Sequence, residues 1–111
     1  MKDDYFKNEH WNGALFTFDK TIVPVFDDMI TRSVPFYNEI QKMICSMATQ
    51  FCKKNSLIYD LGCSTGKTII QLDSCLDPGI SIIGIDYCKE MLEKAQKQLA
   101  ASSTSNRNIQ F

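Results

Sequence analysis

The sequence predicts an α/β fold in which helices cover a parallel β-sheet. Two short apolar runs, Leu57–Leu61 and Ile80–Ile85, have the composition of strands that are buried on both faces. A segment with helical spacing follows each run, and a turn of small residues joins the first run to its helix. Strands that alternate with helices in this way are typical of a doubly wound sheet, and 111 residues are enough for one small domain.

The chain divides into three segments by composition. Residues 1–16 are polar with scattered aromatic side chains, and we expect them to form a flexible arm. Residues 17–55 have helical spacing, whereas residues 56–111 contain both apolar runs and end on Ile109–Phe111, the first residues of a third strand. The sequence therefore predicts N-terminal helices followed by the first part of a sheet domain.

The two N-terminal helices are predicted from apolar residues at steps of three and four. The first helix covers Ile22–Ile30, with Asp19 as a candidate cap. Arg32–Pro35 interrupts the pattern, so that Ser33 is a candidate cap of the second helix and Pro35 suits its first turn. The second helix carries an apolar stripe that we expect to lie in the core, formed by Phe36, Ile40, Met43, Ile44, Met47 and Phe51.

The sequence of the sheet domain predicts two further helices, one after each strand. The first covers Thr68–Leu76, and its apolar residues are expected to face the sheet. A turn at Asp77–Gly79 leads into the second strand, and a helix over Lys89–Ala101 follows it. These elements complete two β-α units before the third strand begins.

The turn after the first strand has the features of a cofactor-binding loop. Glycine permits positive φ and close approach of a ligand, and a helix N-terminus offers unpaired N–H groups. Two nucleotide motifs fit it poorly. A dinucleotide fingerprint needs glycine where Ser64 and Lys67 stand, and a P-loop needs glycine where Leu61 stands. The P-loop interpretation would also place Asp60 near the phosphates.

A third motif, Asp-x-Gly-x-[Gly/Ser]-x-Gly, is matched by Asp60, Gly62, Ser64 and Gly66. It resembles motif I of class I S-adenosyl-L-methionine (SAM)-dependent enzymes. Because SAM carries an ammonium and a sulfonium and no phosphate, an acid beside the loop favours its binding. We favour this motif, and an ordinary strand-to-helix turn is the alternative without a ligand.

A second acid supports a cofactor site. Asp86 ends the second apolar run and lies 20 residues beyond Gly66. A doubly wound sheet places an acceptor of ribose hydroxyl bonds at about this distance. Asp86 is also a candidate N-cap of the helix that follows, and the two roles are compatible.

Composition excludes several classes of function. A net charge of −1 gives no basic field for direct nucleic-acid or membrane binding. The N-terminus lacks the pattern of a secretory signal, and no apolar run approaches the length of a membrane span. With five cysteines, no Cys-x-x-Cys pair and one histidine, we expect no metal site and reduced thiols in the cytoplasm. No base lies near Cys63 in sequence, so we do not expect it to be a nucleophile.

The segment before the first strand narrows the family. Phe18-Asp19, Val25–Ile30, Arg32–Pro35 and Tyr37 precede Tyr59–Ser64, and together they resemble the carboxy-S-adenosyl-L-methionine synthases. The resemblance runs from Phe16 to about Asp86 and continues more weakly to the end. It implies the Rossmann-like class I SAM-dependent methyltransferase fold, here incomplete, with residues 17–55 as a helical lid.

The resemblance implies a transferase reaction and a place in RNA modification. In that family, prephenate supplies a carboxyl group to the methyl carbon of SAM, giving carboxy-SAM and phenylpyruvate for the modification of tRNA wobble uridine. No methyl group is transferred and the RNA is not contacted directly. A full-length member is expected to be a cytoplasmic homodimer. Our alternatives are a generic SAM-dependent methyltransferase and a truncated, non-catalytic fragment.

The resemblance also implies cofactor contacts for individual residues and leaves the catalytic residues unknown. Tyr37 contacts the cofactor in this interpretation, and the loop lines its methionine end through Gly62, Cys63 and Ser64. Asp86 and Tyr87 meet its ribose and adenine. Many relatives carry a small amide where this chain has Tyr87, and small or apolar residues are common in the family where it has Lys67. The family's arginine that binds the added carboxylate would lie beyond Phe111. The implied cofactor-binding set is Tyr37, Asp60, Gly62, Cys63, Ser64, Gly66, Asp86 and Tyr87.

Overall fold

The computed structural model describes residues 21–103 and 105–111, and over these residues it confirms the α/β fold. The arm predicted over residues 1–16 and the cap predicted at Asp19 lie outside the described residues. Within them, a 3₁₀ turn precedes α-helices and parallel strands that alternate from the first strand onward. In chain order these are the 3₁₀ turn Val23–Val25, α1 (Phe26–Ser33), α2 (Tyr37–Phe51), β1 (Leu57–Leu61), α3 (Lys67–Cys75), β2 (Ser81–Ile85), α4 (Lys89–Ser102) and β3 (Ile109–Gln110).

The sheet has the strand order β1-β2-β3, and both pairings are parallel. Leu57 is opposite Ser81 in register, and Ile82 is opposite Ile109. The carboxyl ends of β1 and β2 therefore lie side by side, and the loops after them meet at one edge of the sheet. This is the edge at which doubly wound sheets bind ligands.

One face of the sheet carries the main core. Ile82 of β2 is fully buried, and it packs in a cluster with Ile69 and Leu72 of α3. Ile58 of β1 and Leu92 of α4 pack against the same cluster. The opposite face is exposed within the described part of the chain, as shown by Leu57, Tyr59, Leu61 and Ile85, which are between 47% and 75% exposed.

The apolar stripe predicted as core on α2 is wrong for most of its length. Phe36, Met43 and Phe51 are 76%, 62% and 69% exposed, and Ile40 and Met47 are exposed as well. Ile44 is the member of the predicted stripe that does contact the core cluster, and the helix otherwise packs through the neighbouring face, where Cys45 and Ala48 contact the cluster and Gln41 is 4% exposed. Periodicity identified the helix, but it placed the buried face incorrectly because α2 also buries small and polar residues.

The predicted start of α2 is also wrong in detail. Ser33 is the last residue of α1 and does not cap α2, and Pro35 precedes the cap position. That position is held by Phe36, whose φ of 56° lies in the left-handed region. A left-handed residue turns the chain sharply, so the short connection directs α2 back towards α3.

Candidate functional site

The turn between β1 and α3 owes its shape to alternate residues with positive φ. Gly62, Ser64 and Gly66 have φ values of 73°, 51° and 77°. Glycine adopts this conformation without the steric cost that other residues incur, and serine adopts it at a modest cost. This requirement gives a physical reason for the Gly-x-Ser-x-Gly spacing that the sequence motif contains.

The turn is attached to the end of β2 by backbone hydrogen bonds. The N–H groups of Gly62 and Cys63 both donate to the carbonyl of Ile85, at 2.7 and 2.9 Å. The N–H of Ser64 donates to Oδ2 of Asp86 at 2.9 Å. These bonds hold the two loops together, so the acid after β2 and the turn after β1 form one structural unit.

The close packing of this unit requires Gly84 in β2. A Cβ at this position would lie 2.6 Å from the Ile69 side chain and 2.9 Å from the thiol of Cys63. Gly66 has a related role at the start of α3, because a Cβ there would lie 3.1 Å from Cβ of Ala95 in α4. Gly66 therefore shapes the turn and allows helix packing, and it lines neither of the two cavities described next.

Two cavities adjoin at the turn and share Gly62 and Ser64 as lining residues. The first, of about 200 Å³, lies between the turn and the helices α1, α2 and α3. Its charged and polar lining includes Asp60, Tyr37 and Lys67. The full lining is Phe26, Ile30, Tyr37, Gln41, Asp60, Gly62, Cys63, Ser64, Thr65, Lys67 and Thr68.

The second cavity, of about 320 Å³, lies between the turn and the loop after β2. Among the described residues, Asp86 is the only charged one that lines this cavity, and Ile85, Tyr87 and Met91 supply apolar and aromatic surface. Seven of the eight residues predicted to bind a cofactor line one cavity or the other, and Gly66 is the exception. The structure therefore brings residues from α2, β1, the turn after β1 and the loop after β2 around two adjoining cavities.

Two carboxylates give the site a negative character. Burial raises the pKa of Asp60, and the charge of Asp86 raises it further. Burial, together with Asp27 and Asp60, raises the pKa of the Tyr37 hydroxyl. Burial and a second acid both destabilise the charged form of Asp60. A bound cation would stabilise that charged form. The site is thus suited to a positively charged ligand.

Cys63 has the properties of a structural thiol. Its side chain is 5% exposed, and burial with the charges of Asp60 and Asp86 raises its pKa to about 11. The thiol is therefore protonated near neutral pH, whereas nucleophilic cysteines need a thiolate. The expectation that Cys63 is not a nucleophile is consistent with this environment.

The carboxylate of Asp86 orders the second loop as well as the turn. Oδ1 accepts a hydrogen bond from the N–H of Cys88 at 2.9 Å, while Oδ2 accepts the bond from Ser64. The N-cap of α4 is Cys88, so the alternative role of Asp86 as the cap residue itself is wrong. A carboxylate has about four acceptor positions, so two positions are left to accept ligand hydroxyl groups.

Contacts from distant segments hold the turn from its other side. Asp27 of α1 accepts a hydrogen bond from the Thr65 hydroxyl through Oδ1, and one from Gln98 of α4 through Oδ2. Lys94 forms an ion pair with Asp27 at 3.5 Å and donates to the carbonyl of Val23. Asp27 thereby links α1, the turn and α4, which fixes the wall of the first cavity.

Sequence reasoning missed the polar side chains contributed by α2 and α3. Gln41 of α2 is buried and accepts a hydrogen bond from Thr68 at 2.9 Å. Thr65 is 1% exposed. Their partners are 27 and 38 residues away, so no local pattern indicates the contacts. In the described residues, no group of three or more metal-ligating side chains is present.

A family model described as a methyltransferase domain matches residues 52–111, which is more than half of the chain. Among curated proteins, the carboxy-S-adenosyl-L-methionine synthase of Methylococcus capsulatus is 46% identical over 92 residues, covering 82% of this chain and 38% of that protein. The synthase of Helicobacter pylori strain Shi470 is 43% identical, covering 89% and 42%. The chain spans about two fifths of the length of these curated relatives.

Solved structures agree on the fold. A candidate SAM-dependent methyltransferase of Methanococcus maripaludis superposes with a TM-score of 0.65 at 26% identity, covering 90% of this chain and 43% of that protein. The plantazolicin methyltransferase BpumL, solved with SAH, gives a TM-score of 0.52 at 22% identity, covering 82% and 34%. The incomplete Rossmann-like fold of SAM-dependent methyltransferases is thereby confirmed, and the chain belongs to the methyltransferase-domain family.

Proposed function

We propose that this chain binds SAM or carboxy-SAM across the two adjoining cavities. The observation that carries the proposal is the pair of acids, Asp60 and Asp86, placed on either side of the turn that both cavities share. SAM is an elongated molecule with its cationic groups towards one end and its ribose hydroxyls towards the other. The first cavity suits the methionine end, and the second suits the adenosine end.

Each end of the cofactor has residues of suitable chemistry. In the second cavity Asp86 would accept hydrogen bonds from the ribose hydroxyls, and Tyr87 and Met91 would contact the adenine. In the first cavity Asp60 would face the cationic groups, with Tyr37 on the α2 side. When bound, SAM supplies a methyl carbon that its sulfonium makes reactive. The positive-φ turn at Gly62 lets the ligand approach the backbone.

We further propose that the chain is part of a carboxy-S-adenosyl-L-methionine synthase. Identities above 40% to proteins of that name over more than four fifths of this chain support the proposal. In the overall reaction the prephenate carboxyl group becomes bonded to the methyl carbon. The methyl proton leaves with the hydroxide lost from prephenate, as water, and phenylpyruvate is released. The described residues offer no group that we assign to the proton transfer.

The wider assignments are those that the resemblance to the carboxy-S-adenosyl-L-methionine synthases implies. We propose that α1 and α2, within residues 17–55, act as a lid over the first cavity, because both helices contribute to its lining.

We propose that the full-length protein acts as a cytoplasmic homodimer in tRNA wobble-uridine modification without contacting the RNA itself. All five cysteines are free thiols, which agrees with a reducing compartment. No helix in the described ranges has the length and apolar character needed to cross a membrane.

Calorimetry of the 111-residue chain with SAM and SAH tests the cofactor proposal. We expect saturable binding, and we expect Asp86→Ala to weaken it by about 1–3 kcal/mol, because the ribose hydroxyls lose a half-buried acceptor of their hydrogen bonds. Asp77→Ala removes an exposed acid from the turn before β2 and is the matched control. Binding that Asp86→Ala leaves unchanged would remove this residue from the site.

A separate assay tests the reaction. The full-length gene product is incubated with SAM and prephenate, and the products are identified by mass spectrometry. Carboxy-SAM and phenylpyruvate in equal amounts are the expected result. Methyl transfer to an acceptor, with release of SAH, would instead favour an ordinary SAM-dependent methyltransferase.

A further inference from the structure

The ammonium group of Lys67 is the feature of the first cavity that the cofactor assignment leaves unexplained. Lys67 is the first residue of α3, and its side chain lines the cavity together with Asp60 and Tyr37. Its Nζ lies 4.9 Å from the centroid of the Tyr37 ring. The ammonium is therefore held over an aromatic face at the cavity wall.

In the part of the chain that the structure describes, no acid lies within ion-pair distance of the Lys67 ammonium. Its Nζ donates a hydrogen bond to the Thr31 hydroxyl at 3.4 Å. The ion pairs in the described part of the chain involve Arg32, Lys89, Lys94 and Arg107, and none involves Lys67. A lysine placed against a neutral hydroxyl and an aromatic ring keeps its capacity to pair with an anion.

The charges around the two cavities are complementary to a ligand with cations and one anion. Asp60 lines the first cavity and Asp86 the second, and Lys67 is the only basic lining residue that the described ranges contribute to either. An anionic group of a ligand that spans both cavities is therefore stabilised best beside Lys67. Lys67 lies at the N-terminus of the nine-residue helix α3, and this end of the helix dipole also stabilises a bound anion.

We propose that Lys67 is a specificity-determining residue that binds a carboxylate of the ligand in the first cavity, and this inference rests on the proposed binding of SAM or carboxy-SAM. Two carboxylates of that chemistry are available. One is the α-carboxylate of the methionine end, and the other is the additional carboxylate of carboxy-SAM. The Tyr37 ring lies against the ammonium group, and the Thr31 hydroxyl orients it by accepting the hydrogen bond from Nζ.

Three ligands separate these sources by calorimetry on the 111-residue chain. They are SAM, decarboxylated SAM, which lacks the α-carboxylate, and carboxy-SAM, which has one carboxylate more than SAM. If Lys67 binds the α-carboxylate, the wild-type chain binds SAM about tenfold more tightly than decarboxylated SAM, as expected for one charge-assisted hydrogen bond. This comparison needs no substitution, so a folding defect cannot produce it.

Substitution then assigns the effect to the lysine. Lys67→Met is expected to weaken the binding of SAM by about tenfold and to leave the binding of decarboxylated SAM unchanged. Lys67→Arg keeps the charge and should retain most of the discrimination. Lys42→Met removes a lysine from an exposed position of α2 outside both cavities, which controls for net charge. Thermal unfolding of each variant confirms that the compared chains are folded.

Each outcome bears on the inference. A loss in Lys67→Met that is confined to SAM and carboxy-SAM supports recognition of the α-carboxylate, and a larger loss for carboxy-SAM than for SAM supports recognition of the additional one. Equal effects on all three ligands, or none, would overturn the inference while the binding proposal stands. A wild-type chain that binds none of the three ligands would contradict the binding proposal itself, and the inference with it.

Discussion

At the level of single residues, the site is defined by a few groups whose environments change their chemistry. Asp60 is an ordinary acid in the sequence, yet burial and the nearby Asp86 raise its pKa in the folded chain. Ser64 is an ordinary small residue, yet it has a positive φ and its N–H binds Asp86. The motif predicted the turn that these residues form because its spacing reflects backbone geometry, and their role in binding a cofactor stays a prediction. The pKa shift depends on burial, which the motif does not contain.

The raised pKa of Asp60 predicts a pH dependence of cofactor affinity. A bound cation stabilises the carboxylate, so binding lowers the pKa of Asp60 and releases its proton. Affinity for SAM should therefore fall as the pH decreases, starting above the range in which an exposed aspartate titrates. Calorimetry in two buffers of different ionisation enthalpy would detect the released proton.

Asp60→Asn is the matched variant for this prediction. It removes the titrating group with little change in size, so binding should be weaker at neutral pH and nearly independent of pH below it. The Asp86→Asn chain, which keeps Asp60, should still show the dependence. If Asp60→Asn had the same pH profile as the wild type, another group would have to be responsible.

At the level of secondary structure, α2 is the clearest difference between expectation and structure. The spacing of its apolar residues predicted a helix correctly, but the side that it predicted as core is exposed except at Ile44. Which face of a helix is buried depends on where the neighbouring elements lie. Here α3 packs beside Ile44, Cys45 and Gln41, and the larger apolar side chains remain outside. Local periodicity cannot supply that information.

The exposed face of α2 predicts small effects of substitution. Met43→Gln and Met47→Gln should each change the free energy of unfolding by no more than about 0.5 kcal/mol, as is usual for exposed positions. Ile69→Ala, at a fully buried position of α3, should cost about 2–5 kcal/mol. Denaturant unfolding measures both. A loss above about 2 kcal/mol for either methionine would show that this face of α2 is buried and would contradict the prediction.

Arg107 fixes the C-terminal end of α3 to the segment that leads into β3. Its side chain is almost fully buried and pairs with Asp73 at 2.8 Å. It also donates hydrogen bonds to the carbonyls of Leu76 and Ile80 at 2.7 and 2.8 Å. The last carbonyls of a helix need such partners. The sequence showed no sign of this role, because the partners of Arg107 lie about 30 residues away.

The pair predicts a pH-dependent defect in Arg107→Met. Burial opposes ionisation of Asp73, but hydrogen bonds from Ser105, Ser103 and Arg107 outweigh it and lower its pKa. Its charged form thus contributes stability above the unfolded-state pKa of about 3.9, and this contribution is lost as the pH falls through the lower folded-state value. Arg107→Met should cost about 3–5 kcal/mol near pH 7, because it leaves a buried charge without its partner.

The defect should become smaller on acidification. Once Asp73 is protonated in both chains, the difference in the free energy of unfolding should fall to the part that comes from the lost carbonyl contacts. Denaturant unfolding at pH 7 and near pH 3 measures this change. Arg32→Met removes an exposed arginine that pairs with Asp28, and it should lower the free energy of unfolding much less at both pH values. A defect that does not vary with pH would separate Arg107 from the charge of Asp73.

At the level of the whole molecule, local signals and long-range packing differ in what they reveal. The strands, the turn and both β-α units were predicted because each has a pattern within about ten residues. The attachment of α1 to the turn through Asp27 and Thr65 was not, because those residues are 38 positions apart. The same holds for Gln41 and Thr68, which join α2 to α3. The turn after β1 could therefore be predicted, and the far wall of the cavity beside it could not.

The uncovered face of the sheet has a consequence for the chain in solution. Parallel sheets are normally covered on both faces, and here β1 exposes Leu57, Tyr59 and Leu61 on one of them. In the described ranges, no strand pairs with the outer edge of β1. Exposed apolar patches and free edges favour association. We therefore expect the 111-residue chain to self-associate as its concentration rises.

Sedimentation of the chain over a range of concentrations tests this expectation. Tyr59→Lys with Leu61→Lys places two charges on the exposed face, so the double variant should sediment as a monomer at concentrations where the wild type does not. Met43→Lys with Met47→Lys adds the same charge to the exposed face of α2 and distinguishes the two surfaces. Association that only the α2 variant removes would move the contact to α2. A wild-type chain that is monomeric throughout would show that the free face and edge are tolerated, since single exposed apolar residues are common on protein surfaces.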